Sequence, residues 1–362
     1  MEMMQSIPVP DEMAAARARE RQAQLTKPAG ALGRLEDLAV QVAGLRGSAR
    51  PARHNKLVVV FAGDHGVTRE GVSAYPSAVT AQMVLSFVRG TAAVGVLARA
   101  ACARLVVVDV GVDAEFAPNL PIEHCKVRPG TASFVQGAAM ERSEAIAAMC
   151  TGADVITAEL SQGIDLLALG EMGIGNTTAA AAVAAVLLGR DPADVVGRGT
   201  GVDDDGVRRK IAAVRRGVEV NQPDPNDPVG VLAAVGGLEI AALTGAMLQA
   251  AAARVPILLD GYIVGVAALA AARLAPAACP YFIAAHRSVE PGHRLVLSSL
   301  GLRPLLELDM RLGEASGAAL ALSIVDAALA THDGMATFAE AGVSGQIAPV
   351  DNGEPRPPGR VG

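Results

Sequence analysis

Six times along this chain a short, largely apolar run stops at a polar or glycine-rich turn. Leu57–Phe61 stops at Gly63-Asp64-His65-Gly66, Leu105–Val108 at Asp109-Val110-Gly111, and Leu166–Leu169 at Gly170-Glu171-Met172-Gly173. Further on, Pro256–Leu259 stops at Asp260-Gly261, Tyr281–Ala285 at His286-Arg287-Ser288, and Pro304–Leu308 at Asp309-Met310. Runs this short and without polar alternation suit strands buried on both faces. The segments between them are Ala-rich and long enough for helices. Strands alternating with helices predict an α/β fold, a parallel sheet with helices on both sides. Ligands of such sheets bind beyond the carboxyl ends of the strands. Asp64, His65, Asp109, Glu171, Asp260 and His286 are therefore expected along a single active-site edge.

The chain ends read differently. Pro10 to Leu25 is rich in Ala, Arg and Glu and predicts a helix, stopped by Pro28. Leu32, Leu35, Leu38, Val42 and Leu45 follow at helical spacing, ended by Gly47 and Pro51. Asn221–Pro228 is a loop by composition. From Gly345 the chain is Pro- and Gly-rich without periodicity, and residues 346–362 are expected to be disordered.

Composition excludes several classes. Lys and Arg total 31 against 37 Asp and Glu, a formal charge of −6, and aromatics are 2% of the 362 residues. A general nucleic-acid binder would carry a basic stripe and stacking aromatics. Apolar residues make up 51%, enough to bury a core of Ala, Val and Leu, so most of the chain is not disordered. Cys102, Cys125, Cys150 and Cys279 form no C-x-x-C pair, so neither a zinc knuckle nor a redox couple is suggested. Residues 1–25 include Asp11, Glu12, Arg17, Arg19 and Arg21 and no apolar block of a secretory signal. The longest charge-free run, Met172–Gly189, has too short an apolar part to cross a bilayer. The expectation is a soluble, cytoplasmic protein with no membrane or nucleic-acid partner.

Gly170–Thr178, followed by Ala179–Leu188, reads as strand, glycine loop and helix. Glycines admit a ligand close to the backbone, and the first helical turn presents unpaired amides at the positive end of a dipole. Gly173, Gly175, Asn176, Thr177 and Thr178 thus form a candidate phosphate cradle. It is neither a P-loop nor a dinucleotide fingerprint, since no G-K-[ST] and no third glycine follow. A tight turn capped by threonine is the competing reading. Gly197–Gly206, running into Val207-Arg208-Arg209-Lys210, is a second glycine segment. One of Asp203, Asp204 or Asp205 is expected to cap a helix. Arg198, Gly199 and Gly201 could add a second wall to a phosphate pocket. Calcium-loop spacing is absent, and His65, His286 and His293 have no metal-site spacing, so no metal is expected. There is no G-x-S-x-G elbow. Glu314 stands beside Gly313 where a loop enters the apolar stretch ending near Leu320. Burial there would raise its pKa and make it a base near neutrality, unless it is an ordinary first-turn glutamate.

Taken together these segments resemble the nicotinate-nucleotide:5,6-dimethylbenzimidazole phosphoribosyltransferase family. The match is carried by Lys27–Glu36, Ala62–Val67, Gly71–Pro76, Val79–Met83, Gly170–Thr178, Gly197–Gly206, Gly236–Glu239, Leu259–Gly261, His286–Ser288 and Arg311–Glu314, in the family's order. The resemblance implies a Rossmann-like parallel sheet in three α/β/α layers. A smaller helical domain, residues 1–50 completed by helices at roughly 315–345, would sit beside an α/β domain at 51–314, and the protein would be a homodimer. The implied reaction moves 5-phosphoribose from nicotinate mononucleotide to a benzimidazole nitrogen, with no cofactor and no metal. Glu314 matches the general base and Glu171 a second central carboxylate. Gly173, Gly175, Asn176, Thr177 and Gly201 would hold phosphate, and Ser73, Tyr75, Gln82, Met83 and Leu312 would line the slot for the aromatic base. Departures are few: Ala31 replaces a common serine, Tyr75 stands where another aromatic is frequent, and Ala315 stands where glycine is frequent. Two other readings compete. A phosphoribosyl-pyrophosphate enzyme would end a strand in two adjacent acids, whereas Val110 follows Asp109. A passive nucleotide binder would have no use for two carboxylates beside a phosphate.

Overall fold

The computed structural model describes residues 7–344. Its centre is one six-stranded sheet, parallel throughout, in the order β3-β2-β1-β4-β5-β6. The strands are β1 (Lys56–Gly63), β2 (Ala103–Gly111), β3 (Glu123–His124), β4 (Leu166–Met172), β5 (Ile257–Leu259) and β6 (Phe282–Ala284). Every residue of β1 and β4 is buried, which is why their sequences show no alternation. Their side chains nevertheless part to opposite faces. Leu57, Val59 and Phe61 enter one core, and Val58, Val60 and Ala62 enter the other.

The first core is covered by α5 (Arg142–Leu160), α6 (Asn176–Leu188), α9 (Pro228–Val235), α10 (Leu238–Ala252) and α11 (Tyr262–Leu274). These helices pack with small side chains. Gly152 of α5 leaves no room for a Cβ against the Ala242 carbonyl of α10, and Gly245 stands likewise against Met149. The second core is covered by α2 (Arg34–Arg46), α3 (Val79–Val88), α4 (Ala93–Ala100) and α13 (Ser316–Gly334). The stretch Val79–Ala100 has the length and composition of a membrane span. It is two helices, however, separated by a turn at Gly90 with φ +69°, and each is shorter than the roughly 20 residues a span requires.

The two chain ends meet. α1 (Glu12–Gln24), capped by Asp11, packs on α2, and α2 packs on α13. The Arg21 guanidinium donates to the carbonyls of His332, Asp333 and Met335, and Gln22 bonds His332 at 2.9 Å. Residues 346–362 lie outside the described residues.

Two expectations need correcting. Pro304–Leu308 forms no strand. It pairs only through Leu305 and Leu306, whose amides donate to Ala284 and Ala285, and through one bridge to His286. Pro304 has no amide to offer and Glu307 and Leu308 are exposed, so the ladder cannot extend. Conversely β3 is two exposed residues without an apolar run to announce it.

Candidate active site

The strand order reverses between β1 and β4, which opens a crevice at their carboxyl ends. Glu171 stands at the end of β4. The chain then turns through Met172–Gly175 into α6. Gly173 has no room for a side chain against the Gly63 carbonyl and the His65 ring, so the loop lies directly on the end of β1. Gly175 takes φ +97°, a left-handed value that glycine reaches without strain. The Ile174 amide donates to Thr80 Oγ1 at 3.1 Å and fastens the loop to α3.

A second wall comes from residues 197–201, between α7 (Pro192–Val195) and α8 (Asp204–Asn221). Asp203 caps α8, accepting the Gly206 amide at 2.8 Å. Two turns along α8, Lys210 reaches back: its Nζ donates to Thr177 Oγ1 and to the Gly197 carbonyl, both at 2.9 Å. It is 1% exposed, and burial pulls its pKa down to about 8. From the opposite side Glu290 Oε1 accepts the Gly199 amide at 2.8 Å. That amide is therefore already engaged.

Glu314 faces Glu171 across the crevice. Gly313, Glu314 and Ala315 take φ +85°, +63° and +63°, three left-handed residues in succession. For the two non-glycines this costs about 1–2 kcal/mol each. The turn is held from two sides. Asp260, at the end of β5, accepts the Ala318 amide in the first turn of α13 at 3.0 Å. Gly170 lets β4 approach the Ala315 backbone more closely than any side chain would permit. Ala315 thus occupies a conformation that favours glycine, the residue the resembled family often has there.

The acids share one environment. Burial raises the Glu314 pKa to about 7 and the Asp260 pKa to about 7, against the amides that bond Asp260. Burial raises Glu171 well above the usual range, reinforced by Asp260, Glu239 and Glu314, although Asn176 Nδ2 donates to its Oε2. Beneath them His65 Nε2 meets Glu239 Oε1 at 2.7 Å, with both side chains fully buried. Burial pulls His65 down, but Glu239 and Asp64 together hold it above its usual value. His286 is 2% exposed and neither ring nitrogen has a hydrogen-bond partner.

Three adjoining cavities occupy the crevice. One, about 70 Å³, is bordered by Glu171, Glu314, Asn176, Thr177, Gly199 and His286. Glu290 and Arg311 separate it from an open cleft of about 860 Å³ bordered by Arg198, Gly201, Val202 and Arg208. A third, about 30 Å³, lies between Ser73 and the loop 173–177, with Lys210 in its wall. Among the described residues no group of three or more His, Cys, Asp or Glu is arranged to hold a metal ion.

This glycine-loop crevice, with two facing carboxylates, is matched by comparison with known proteins. The family described as "Phosphoribosyltransferase" matches residues 7–343. The chain belongs to this family. It is 54% identical over 337 residues to the nicotinate-nucleotide–dimethylbenzimidazole phosphoribosyltransferase of Chloroflexus aurantiacus, covering 93% of this chain and 96% of the relative. The enzyme of that name from a Roseiflexus species is 55% identical with the same coverage. A crystal structure of the nicotinate-nucleotide–dimethylbenzimidazole phosphoribosyltransferase from Thermus thermophilus superposes with a TM-score of 0.88 at 47% identity, covering 93% of this chain and all of that one.

Within this phosphoribosyltransferase the residues expected at the site divide as follows. Glu171, Glu314, Gly173, Asn176, Thr177, Gly199 and Leu312 border one cavity. Ser73, Gly175 and Arg198 border the small one beside it, and Gly201 the open cleft. Arg198 donates to the Val202 carbonyl and to Asp204 of its own segment. Thr178 is fully buried in α6 and borders none of the three. Tyr75 is half exposed, Gln82 is exposed, and Met83 packs beside the core that contains Met172 and Ile174. None of these three borders the cavities either.

Lys210 and Glu290 were not among the expected site residues. A signal for the lysine existed: the buried stripe of α8 runs Gly206, Lys210, Ala213, Val214 and Gly217, with a charge where an apolar residue belongs. Glu290 had none, because its meaning depends on Gly199, 91 positions away.

Proposed function

We propose that the enzyme transfers the 5-phosphoribosyl group of nicotinate mononucleotide to a nitrogen of 5,6-dimethylbenzimidazole or a related base, giving α-ribazole 5′-phosphate and nicotinate. The bond between the anomeric carbon and the pyridinium nitrogen breaks, and its electron pair neutralises the departing nicotinate ring. The acceptor nitrogen forms the new bond, and the proton on the other ring nitrogen passes to Glu314. A base in that role typically contributes about 10²–10⁴-fold.

Two raised carboxylates in one cavity will not both ionise easily near neutrality. Glu314, the more weakly perturbed, is the one free to accept a proton. Before the donor binds, Glu171 holds its own proton. The cationic pyridinium of the donor favours its ionised form, and the carboxylate then stabilises positive charge on the ribose ring. The phosphate sits at the start of α6, against Thr177 and the Lys210 ammonium. The aromatic base lies on the side of Ser73, Tyr75, Gln82, Met83 and Leu312, where flexible Met and Leu faces would admit related bases.

The observation that carries this reading is that Glu171 and Glu314 border one cavity with Thr177 and Gly199. The experiment mixes enzyme, nicotinate mononucleotide and a panel of bases without magnesium and identifies products by mass. A base nucleotide of the expected mass supports the reading. Turnover with phosphoribosyl pyrophosphate and none with nicotinate mononucleotide overturns it. The same reading takes the enzyme to be a cytoplasmic homodimer, with helices of residues 1–50 and 315–345 as a small domain beside the 51–314 body. Sedimentation, fractionation and limited proteolysis test these points.

A further inference from the structure

We propose that Glu290 is a positioning residue for the donor's phosphate: it clasps the 197–199 segment from behind and sets a carboxylate near the Lys210 ammonium, so that the two glycine segments act as one clamp. This rests on the reading above, in which that clamp holds phosphate.

Glu290 begins α12 (Pro291–Ser299) and is itself fixed. Its carbonyl accepts the His293 amide at 3.0 Å, and the Ser288 amide donates to His293 Nδ1 at 3.0 Å. Its carboxylate meets two glycines. Oε1 takes the Gly199 amide at 2.8 Å, and Oε2 fills the space a side chain on Gly197 would need. On the other side of the same segment Lys210 holds the Gly197 carbonyl and Thr177 Oγ1. A Cβ on Gly199 would stand 2.9 Å from Thr177 Oγ1 and 3.2 Å from Lys210 Nζ. The segment is thus held between an acid from the β6–α12 connection and a base from α8, and the base touches the first glycine loop.

Both charged groups are more than nine-tenths buried. An ammonium out of water stays charged only beside an opposite charge. The Glu290 charge favours the charged form of Lys210 and opposes the effect of burial. Of the elements packed on α8, α6 and α9 carry no ionisable side chain, and α7 carries Asp194. The turn at Gly66–Glu70 carries Arg69 and Glu70, and Glu70 accepts the Ser133 hydroxyl. Oε2 is buried beside Gly197 without a hydrogen-bond partner.

The test is steady-state kinetics of the full chain across pH. Glu290→Gln keeps an oxygen for the Gly199 amide and removes the charge. KM for nicotinate mononucleotide is expected to rise about tenfold, the scale of one charge-assisted hydrogen bond, with a smaller fall in kcat. In the parent enzyme KM should climb as Lys210 loses its proton near pH 8, and Glu290→Gln should move that limb to lower pH. Glu290→Asp keeps the charge and should leave the limb in place. Lys210→Met should have no such limb, with or without Glu290→Gln. A parental KM and an unmoved limb in Glu290→Gln overturn the proposal. So does a shift that persists with Lys210→Met. If Glu290→Gln does not fold by circular dichroism, a limb displaced in Glu290→Asp overturns it and a retained one supports it. Failure of the underlying reading looks different: inorganic phosphate would then not compete with nicotinate mononucleotide in the parent enzyme.

Discussion

A methyl group on Gly313 would stand 2.5 Å from Oε1 of Glu171. That contact joins the end of β4 to the turn before α13, and it brings the second carboxylate, Glu314, to the same cavity as the first. Gly313 also has φ +85°. Gly313→Ala therefore meets two penalties, a strained backbone and a collision with a buried carboxylate. The variant is expected to lose about 1–3 kcal/mol of stability and most of its turnover, because the turn can relax only by moving Glu314. Urea unfolding and kcat check this. Parental turnover would mean that the facing of the two acids does not matter.

Removing the base itself tests the chemistry. Glu314→Gln is expected to keep affinity for nicotinate mononucleotide and to lose about 10²–10⁴-fold in kcat. In the parent enzyme the base works only when deprotonated, and its pKa stands at about 7. Rate should therefore rise with pH through about 7, and that acid limb should be absent from the residual activity of the variant. The measurement is a pH–rate profile of both proteins; the same limb in both would assign it to another group.

β1, β4, β5 and β6, and the carboxyl-terminal part of β2, were legible because both their faces are buried, which leaves an unbroken apolar run ending at its turn. Glu171, Gly173 and Thr177 were legible because the loop and helix start that carry them are local. The pairing that makes Asp260 hold the start of α13 spans 58 positions, and no local pattern encodes it. Glu290 was missed for the same reason, and Lys210, though its place in the buried stripe of α8 was a local signal, has partners that no local pattern reveals. Each is a charged residue among others in sequence, and only the packing of α8 and of the β6–α12 connection turns both inward on Gly197 and Gly199.

Thr177 tests the phosphate end. Its hydroxyl accepts from Lys210, so Thr177→Ala takes a partner from a buried ammonium as well as a donor from the ligand. KM for nicotinate mononucleotide should rise about tenfold or more, with little change in KM for the benzimidazole. Steady-state kinetics with each substrate varied in turn decides it. An effect confined to the benzimidazole would move the phosphate away from the start of α6.

The raised acids should also leave a mark on stability. The folded pKa of Glu314 is about 7, above the ordinary 4.5, so the native state binds its proton more tightly than the unfolded chain. Its contribution is harmless below about pH 4.5 and grows more unfavourable as pH rises to about 7, to an upper bound of about 3 kcal/mol. Asp260, also at about 7, acts in the same direction. Glu314→Gln removes one of these burdens. Relative to the parent it should gain stability between pH 5 and pH 8, while both proteins still weaken on that rise through Asp260. Urea midpoints of the two proteins at those pH values test it. A difference between them that is the same at both would show that Glu314 is not held in the desolvated turn from which its role as base is argued.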